Sequence, residues 1–335
     1  MRKTATIQDV ARLAGVSTAT VSRVLSSPGK VAEATRAAVL EAVRATDFRR
    51  NRQAANLRRR RTGSVIALVP NLANPFFAQI LAGIASVLTP AGYGLLIADT
   101  RTDPDPDARL AHFLEAGAAD GLILFDGTLS PAALARPGHG PALAACEWLD
   151  MALPSVTVDN AHGADLALRH LAALGHRRIG HVMGPEGNVL TAARRAGFLS
   201  AIRDLGLPER PDWMLPGDFS IASGARAAEA WLALDDRPTA LFCASDQMAL
   251  GFMGTVQHAG LSAPGDVSLI GFDDLEVSAY LTPALTTIRQ HRRQIGERAA
   301  ALLLGMIESR TRTCESEVIP VELIVRASTA APRLP

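Results

Sequence analysis

From Gly63 onward the chain repeats one pattern, a short apolar run followed by a stretch of helical periodicity. Runs at 65–69, 95–98, 122–125 and 142–145 are almost wholly apolar, as strands buried on both faces are. Helical stretches near 75–89, 105–116 and 131–135 separate them. The alternation then returns, with strands at 179–183, 240–244 and 269–272 and helices near 161–174, 191–205, 221–233 and 246–258. Strand–helix alternation of this kind folds as parallel sheets covered by helices on both faces. Two such series predict a doubly wound α/β body of two similar lobes.

Residues 1–61 depart from that pattern in composition as well as periodicity. They hold 14 Lys and Arg against 4 Asp and Glu, a net +10, whereas the remainder holds 20 against 29, a net −9. A basic head on an acidic body predicts a polyanionic partner at the head. Thr6 is placed to cap a first helix, with Asp9 as its reciprocal partner. Ile7, Val10, Ala11 and Ala14 fall on one face of that helix, and Gly15 ends it. Ser17 begins a second helix that turns Val21, Val24 and Leu25 inward and stops at Pro28-Gly29. A third helix, about 34–45, adds Val39, Ala42 and Val43. Two short helices joined by a few residues cross steeply, as a helix-turn-helix does.

The second helix of such a unit enters the DNA major groove N-terminus first. Thr18, Ala19 and Thr20 are its leading residues, with Ser22 and Arg23 one turn on. Arg23 suits a forked pair of hydrogen bonds to guanine. The hydroxyls of Ser17, Thr20 and Ser22 suit phosphate, which positions the protein without reading sequence.

Ligands of open parallel sheets sit beyond the carboxyl ends of the strands. Asn71, Asn74, Phe76 and Phe77 follow the first strand, Glu147 and Trp148 the fourth. In the second series Arg194, then Ser245 and Asp246, then Asp273 and Asp274 occupy equivalent positions. Aromatic faces beside Arg, Asp and Glu suit a polar ring ligand. His176 and His181 have poor spacing for a metal pair and are read as structural. Cys146, Cys243 and Cys314 lack a paired spacing and are read as reduced thiols, with no metal, disulfide or cofactor expected.

No G-x-G-x-x-G follows the first strand, and neither a P-loop nor a G-x-S-x-G elbow occurs. The chain is therefore expected not to be an enzyme, although doubly wound folds host many. The start Met-Arg-Lys-Thr-Ala-Thr leads into no apolar stretch, and no run approaches the ~18 apolar residues of a membrane helix. A cytoplasmic protein without membrane association is expected. A transport-type binding protein is the competing reading; it requires a signal peptide and does not account for the +10 head.

The string T-I-Q-D-V-A-R-L-A-G-V-S-T-A-T-V-S-R-V-L, residues 6–25, resembles the head of the lactose-repressor/galactose-repressor (LacI) family. N-P-F-F (74–77), A-S-D-Q-M-A-L-G (244–251), G-F-D-D (271–274) and L-T-T-I-R-Q (285–290) look like further landmarks of it. The resemblance implies a transcription regulator, by family default a repressor, controlled by a small effector. It implies a type I periplasmic-binding-protein-like body, with lobes joined by three crossovers. It implies a hinge helix that forms on operator DNA, on which Phe48, Asn51, Ala54 and Leu57 match the family pattern. Leu57 then falls at the minor-groove wedge, with Arg58 beside it and the run to Arg61 following. Arg50 and Ala55 depart from the usual Pro and Arg, and Ala32 from a capping Ser.

Matched by position, Phe76, Phe77, Arg194, Phe219 (in G-D-F-S) and Asp273 fall on effector contacts, and Ser245 replaces a common Asn there. The stretch 145–160, which includes Glu147, is similar to the cytidine-responsive repressor branch. A nucleoside is accordingly the first expectation for the effector and a sugar the second. The expected organisation is 1–47 for the DNA-binding head, 48–61 for hinge and basic linker, and 62–335 for the sensor. Within the sensor, 62–159 with 290–320 form one lobe, 160–289 the other, and 321–335 a final strand and tail. One short recognition helix reads few base pairs, so a homodimer on a pseudo-palindromic operator is expected. The closing residues carry no heptads, which favours dimer over tetramer.

Overall fold

The computed structural model describes residues 5–26, 28–48, 61–100, 118–134, 140–149 and 151–333. The chain divides into two compact units, Met1–Thr62 and Gly63–Pro335.

The first unit contains α1 (Ile7–Leu13), α2 (Thr18–Ser26) and α3 (Glu33–Ala45). Thr6 and Asp9 form the reciprocal cap: the Asp9 N–H donates to Thr6 Oγ1 at 3.4 Å, and the Thr6 N–H donates to Asp9 Oδ2 at 2.9 Å. Gly15 takes φ +67°, a left-handed turn that costs a side-chain-bearing residue energy. Ser17 Oγ accepts the Thr20 N–H at 3.1 Å and so opens α2. Val10, Val21 and Val39 close the core with no exposed surface, and Ala11, Val24 and Ala42 pack around them. Ala32 gives α3 no side-chain cap, as its methyl group dictates.

The second unit begins with β1 (Ser64–Val69), α4 (Phe76–Leu88), β2 (Gly94–Asp99), β3 (Gly121–Leu124), a turn of helix at Pro131–Leu134, β4 (Ala142–Ala145) and β5 (Ser155–Val158). It continues with α5 (Asn160–Ala173), β6 (Ile179–Val182), α6 (Val189–Asp204), β7 (Met214–Leu215), α7 (Ile221–Leu232), β8 (Ala240–Cys243), α8 (Asp246–His258), β9 (Ser268–Asp273) and β10 (Thr286–Gln290). The 18-residue α9 (Arg292–Ser309) follows, then β11 (Glu317–Ile319) and β12 (Val321–Ile324). The helix expected at 105–116 lies outside the described residues.

These strands make two six-stranded sheets, ordered β11-β5-β4-β3-β1-β2 and β12-β10-β9-β8-β6-β7. Among the described residues the chain passes between them after β5, after β10 and between β11 and β12. The first sheet is parallel throughout; in the second, β12 runs antiparallel to β10, a departure from the all-parallel expectation. β11 runs parallel to β5 and so delivers the chain to the carboxyl ends of the strands; with Pro320 alone between them, β12 enters the second sheet from that end and runs against β10.

Helix packing on the first sheet rests on close backbone approach. A methyl at Gly296 of α9 would meet the Ile80 carbonyl of α4 at 2.0 Å, and one at Gly83 would meet Arg293 O. The two helices thus touch backbone to backbone, α9 lying over β3 and β4 and α4 beside β2. Among the described residues no helix is long and apolar enough to cross a membrane.

Candidate functional site

The carboxyl ends of both sheets open onto one cleft of about 380 Å³. Phe76 and Phe77 enter it from the start of α4, where Asn74 Oδ1 accepts the Phe76 N–H at 2.9 Å. The two rings meet edge to face at 5.2 Å, and Phe77 meets Phe125 in the same way at 5.7 Å. Both phenylalanines therefore belong to the core and to the cleft wall at once. Phe219 faces them from the second lobe.

Glu147 follows β4. Its Oε2 accepts the Gly127 N–H at 2.7 Å and its Oε1 accepts Asn188 Nδ2 of the second lobe at 2.9 Å. Burial pushes its carboxyl above the usual range, against the pull of those two donors. Asp126 lies beside it after β3, its carboxylate taking the Thr100 hydroxyl, the Thr128 hydroxyl and the Thr128 N–H.

Arg194 is buried within α6. Its Nε donates to Asn160 Oδ1 at 2.9 Å, its Nη1 to Ala244 O at 2.5 Å, and its guanidinium lies 3.7 Å over the Phe272 ring. Among the described residues no hydrogen-bond partner takes Nη2. Burial lowers its affinity for the proton, and the Asp273 and Glu147 charges counteract that. Asp273 accepts Gln290 Nε2 at 2.7 Å; burial raises its carboxyl, opposed by Arg194 and Arg292. Ser245 Oγ caps α8 by accepting the Met248 N–H at 3.3 Å.

All seven side chains that the sequence nominates for the effector, namely Phe76, Phe77, Glu147, Arg194, Phe219, Ser245 and Asp273, line this cleft. Cys146, Phe219 and Asp273 do so with φ values of +66°, +66° and +125°, a left-handed backbone held against its steric cost. Two strand-end acids go elsewhere. Asp246 is fully buried and accepts the Thr287 and Ser278 hydroxyls and the Leu275 N–H. Asp274 is turned into ion pairs with Arg289 at 2.7 Å and Arg326 at 2.6 Å. Asp126, Asn188 and Gln247 were not nominated. Asp126 follows a strand as directly as Glu147 does, and Asn188 stands where a helix cap belongs; both signals were present.

The histidines are structural in their contacts. His176 bonds Thr239 Oγ1 and Ala330 O at 2.8 and 2.9 Å. The His181 ring stacks between Phe198 and Phe242 and donates from Nδ1 to Phe242 O at 2.8 Å. That bond fixes the tautomer and leaves the buried Nε2 without a partner. Among the described residues no group of His, Cys, Asp or Glu is arranged to hold a metal ion.

In the head, Thr18, Ala19 and Arg23 are exposed along α2, with Thr20 and Ser22 half-buried. The Ser17 and Thr20 hydroxyls bond each other at 2.9 Å, and Thr6 Oγ1 donates to Asp9 Oδ2 at 2.7 Å. These three hydroxyls already serve helix starts. Asn51, Leu57, Arg58 and the expected hinge helix lie outside the described residues.

Residues 6–51 match the model of bacterial regulatory proteins of the lacI family, and residues 168–329 match a periplasmic binding protein-like domain. The chain is 36% identical to the HTH-type transcriptional repressor CytR of Escherichia coli (strain K12) over 330 residues, 98% of this chain and 97% of that one. A solved lac repressor dimer bound to operator and the anti-inducer ONPF is 31% identical, with a TM-score of 0.86, covering 98% of this chain and 100% of that one. A solved complex of the transcriptional regulator CelR with cellobiose is 30% identical, with a TM-score of 0.74, covering 97% and 99%.

Proposed function

The chain belongs to the lacI family of bacterial regulatory proteins and is a DNA-binding transcriptional repressor, and from that premise we propose that a nucleoside bound in the interlobe cleft controls it. The observation that carries the effector reading is convergence: side chains from residue 76 to residue 273 meet in one cavity of about 380 Å³ with aromatic walls and buried hydrogen-bonding groups. Phe76, Phe77 and Phe219 stack on the ring, while Glu147, Arg194, Ser245 and Asp273 hold its polar edges. The likeness of residues 145–160 to the cytidine-responsive branch favours a nucleoside. A sugar is the second reading, supported by likeness to the cellobiose-bound regulator.

The repressor acts as a homodimer on a pseudo-palindromic operator, one α2 in each half-site, as the lac repressor dimer–operator complex suggests. Thr18, Ala19 and Arg23 read bases; Thr6, Ser17, Thr20 and Ser22 contact phosphate. Residues 48–61 form the hinge, with Asn51, Leu57 and Arg58 at the DNA, between a head of 1–47 and a sensor of 62–335. Effector and operator then alter each other's affinity reciprocally, by ~1–3 kcal/mol.

Thermal unfolding of the full chain against nucleosides, purines and simple sugars tests the effector. A ligand at 100 times its dissociation constant stabilises the native state by ~2.7 kcal/mol. An upward shift with cytidine or adenosine supports the nucleoside; a shift with a sugar alone replaces it.

A further inference from the structure

We propose that this cleft admits only unphosphorylated ligands and turns away the phosphate esters of the molecules it binds. The inference rests on the reading of the cleft as the effector site and narrows the class of effector.

A protein holds a phosphate in three principal ways, namely a forked guanidinium, an open helix N-terminus or a cationic lining. Among the described residues each of them is only weakly supplied here. Arg194 is, among the described residues, the one Lys or Arg in the lining, and its Nε and Nη1 donate to Asn160 and Ala244. Nη2 and the second hydrogen of Nη1 remain without a partner among the described residues. With its Nε edge taken and its charge facing Glu147 and Asp273, this one guanidinium matches a hydroxyl or carbonyl better than a phosphate dianion.

Four helices begin at the cleft, and a neutral side chain closes the start of each. Asn74 takes the first amide of α4, Asn188 takes two amides of α6 at 2.9 and 3.2 Å, Ser220 takes one of α7 at 3.1 Å, and Ser245 takes one of α8. Each cap takes one or two of the first-turn N–H groups and so weakens, without exhausting, the positive end of its helix.

The lining itself is acidic. Among the described residues Asp126, Glu147, Glu186, Asp218 and Asp273 stand against Arg194 alone. Arg226 pairs with Asp218 at 3.1 Å from outside the lining, which still leaves acids in excess. What the lining supplies in quantity is acceptors, which suit hydroxyl and amino hydrogens.

Calorimetric titration of the full chain with matched pairs, cytidine with cytidine 5′-monophosphate and ribose with ribose 5-phosphate, tests this. The expected result is binding of a parent compound with its phosphate at least ~100-fold weaker. If ribose is the parent that binds, the nucleoside reading fails while the exclusion of phosphate stands. A phosphate ester that binds as tightly as its parent, or binds where the parent does not, overturns the proposal. Glu186→Lys, at the exposed rim, should narrow the gap at least ~3-fold; an unchanged gap removes charge as the cause.

Discussion

His181 concentrates the physics of this sensor in one side chain. Its ring is sealed between two phenylalanines, and burial holds its pKa down at about 4 against an ordinary 6.5. At neutral pH the ring is uncharged whether the chain is folded or not, so it adds no pH dependence there. Below pH 6.5 the unfolded chain takes the proton and the folded one does not. Stability therefore falls as pH drops from about 6.5 to about 4, by roughly 3 kcal/mol in all. Asp246 and Asp273, whose carboxyls burial raises, act in the opposite sense, binding protons more tightly when folded. A difference measurement isolates the histidine. Urea unfolding of wild type and His181→Phe across this range should show the wild type losing that ~3 kcal/mol relative to the variant; parallel curves would refute the assignment. The same scale shows what sequence reveals of a site. Phe76, Glu147, Arg194 and Asp273 were legible because strand ends predict where ligands go. The inward commitment of Arg194 to Asn160 and Ala244 was not, since both partners are distant in sequence and only folding brings them together.

Among elements, α4 and α9 form the tightest joint on the first sheet. Gly83 and Gly296 let the two backbones meet, and Gly296→Ala pushes a methyl to 2.0 Å from Ile80 O. Relief requires the helices to part and loosens the apolar seam of Ile80, Ile84, Ala299 and Leu303, so the change should cost ~1–3 kcal/mol. A drop in the urea midpoint checks it; an unmoved midpoint would mean that the joint is slack. Long elements with one clear period, such as α4, α5 and α8, were legible within a few residues. So were the strands β1–β4, β6, β8 and β9, whereas the two-residue β7 and the junction of β11 with β12 were not. Within E-V-I-P-V-E-L-I the structure assigns Glu317–Ile319 to one sheet and Val321–Ile324 to the other. Nothing local in those eight residues signals that Pro320 divides two lobes; partners far away in the sequence decide it.

For the sensor as a whole, two side-chain hydrogen bonds span the cleft: Glu147 to Asn188 at 2.9 Å and Asn74 to Gln247 at 2.6 Å. Each joins a loop of the first sheet to a helix start of the second. At ~1 kcal/mol apiece they bias the lobes toward closure by ~2 kcal/mol. Gln247→Ala combined with Asn188→Ser removes both, and the serine retains a helix cap. The double variant should weaken effector binding by up to ~30-fold and raise the radius of gyration of the ligand-free chain in small-angle scattering. An unchanged radius and affinity would show that the crossovers alone hold the lobes. Those crossovers carry one more consequence, for the making of the protein. The ribosome delivers the chain from its N-terminus, so α1–α3 emerge early, whereas β11 and β12 emerge almost last. A premature stop before residue 317 would yield an intact DNA-reading head on a body lacking an edge strand in both sheets at once. A single nonsense allele would then damage both halves of the sensor while sparing the reader, and the cell would meet it as a substrate for its proteases.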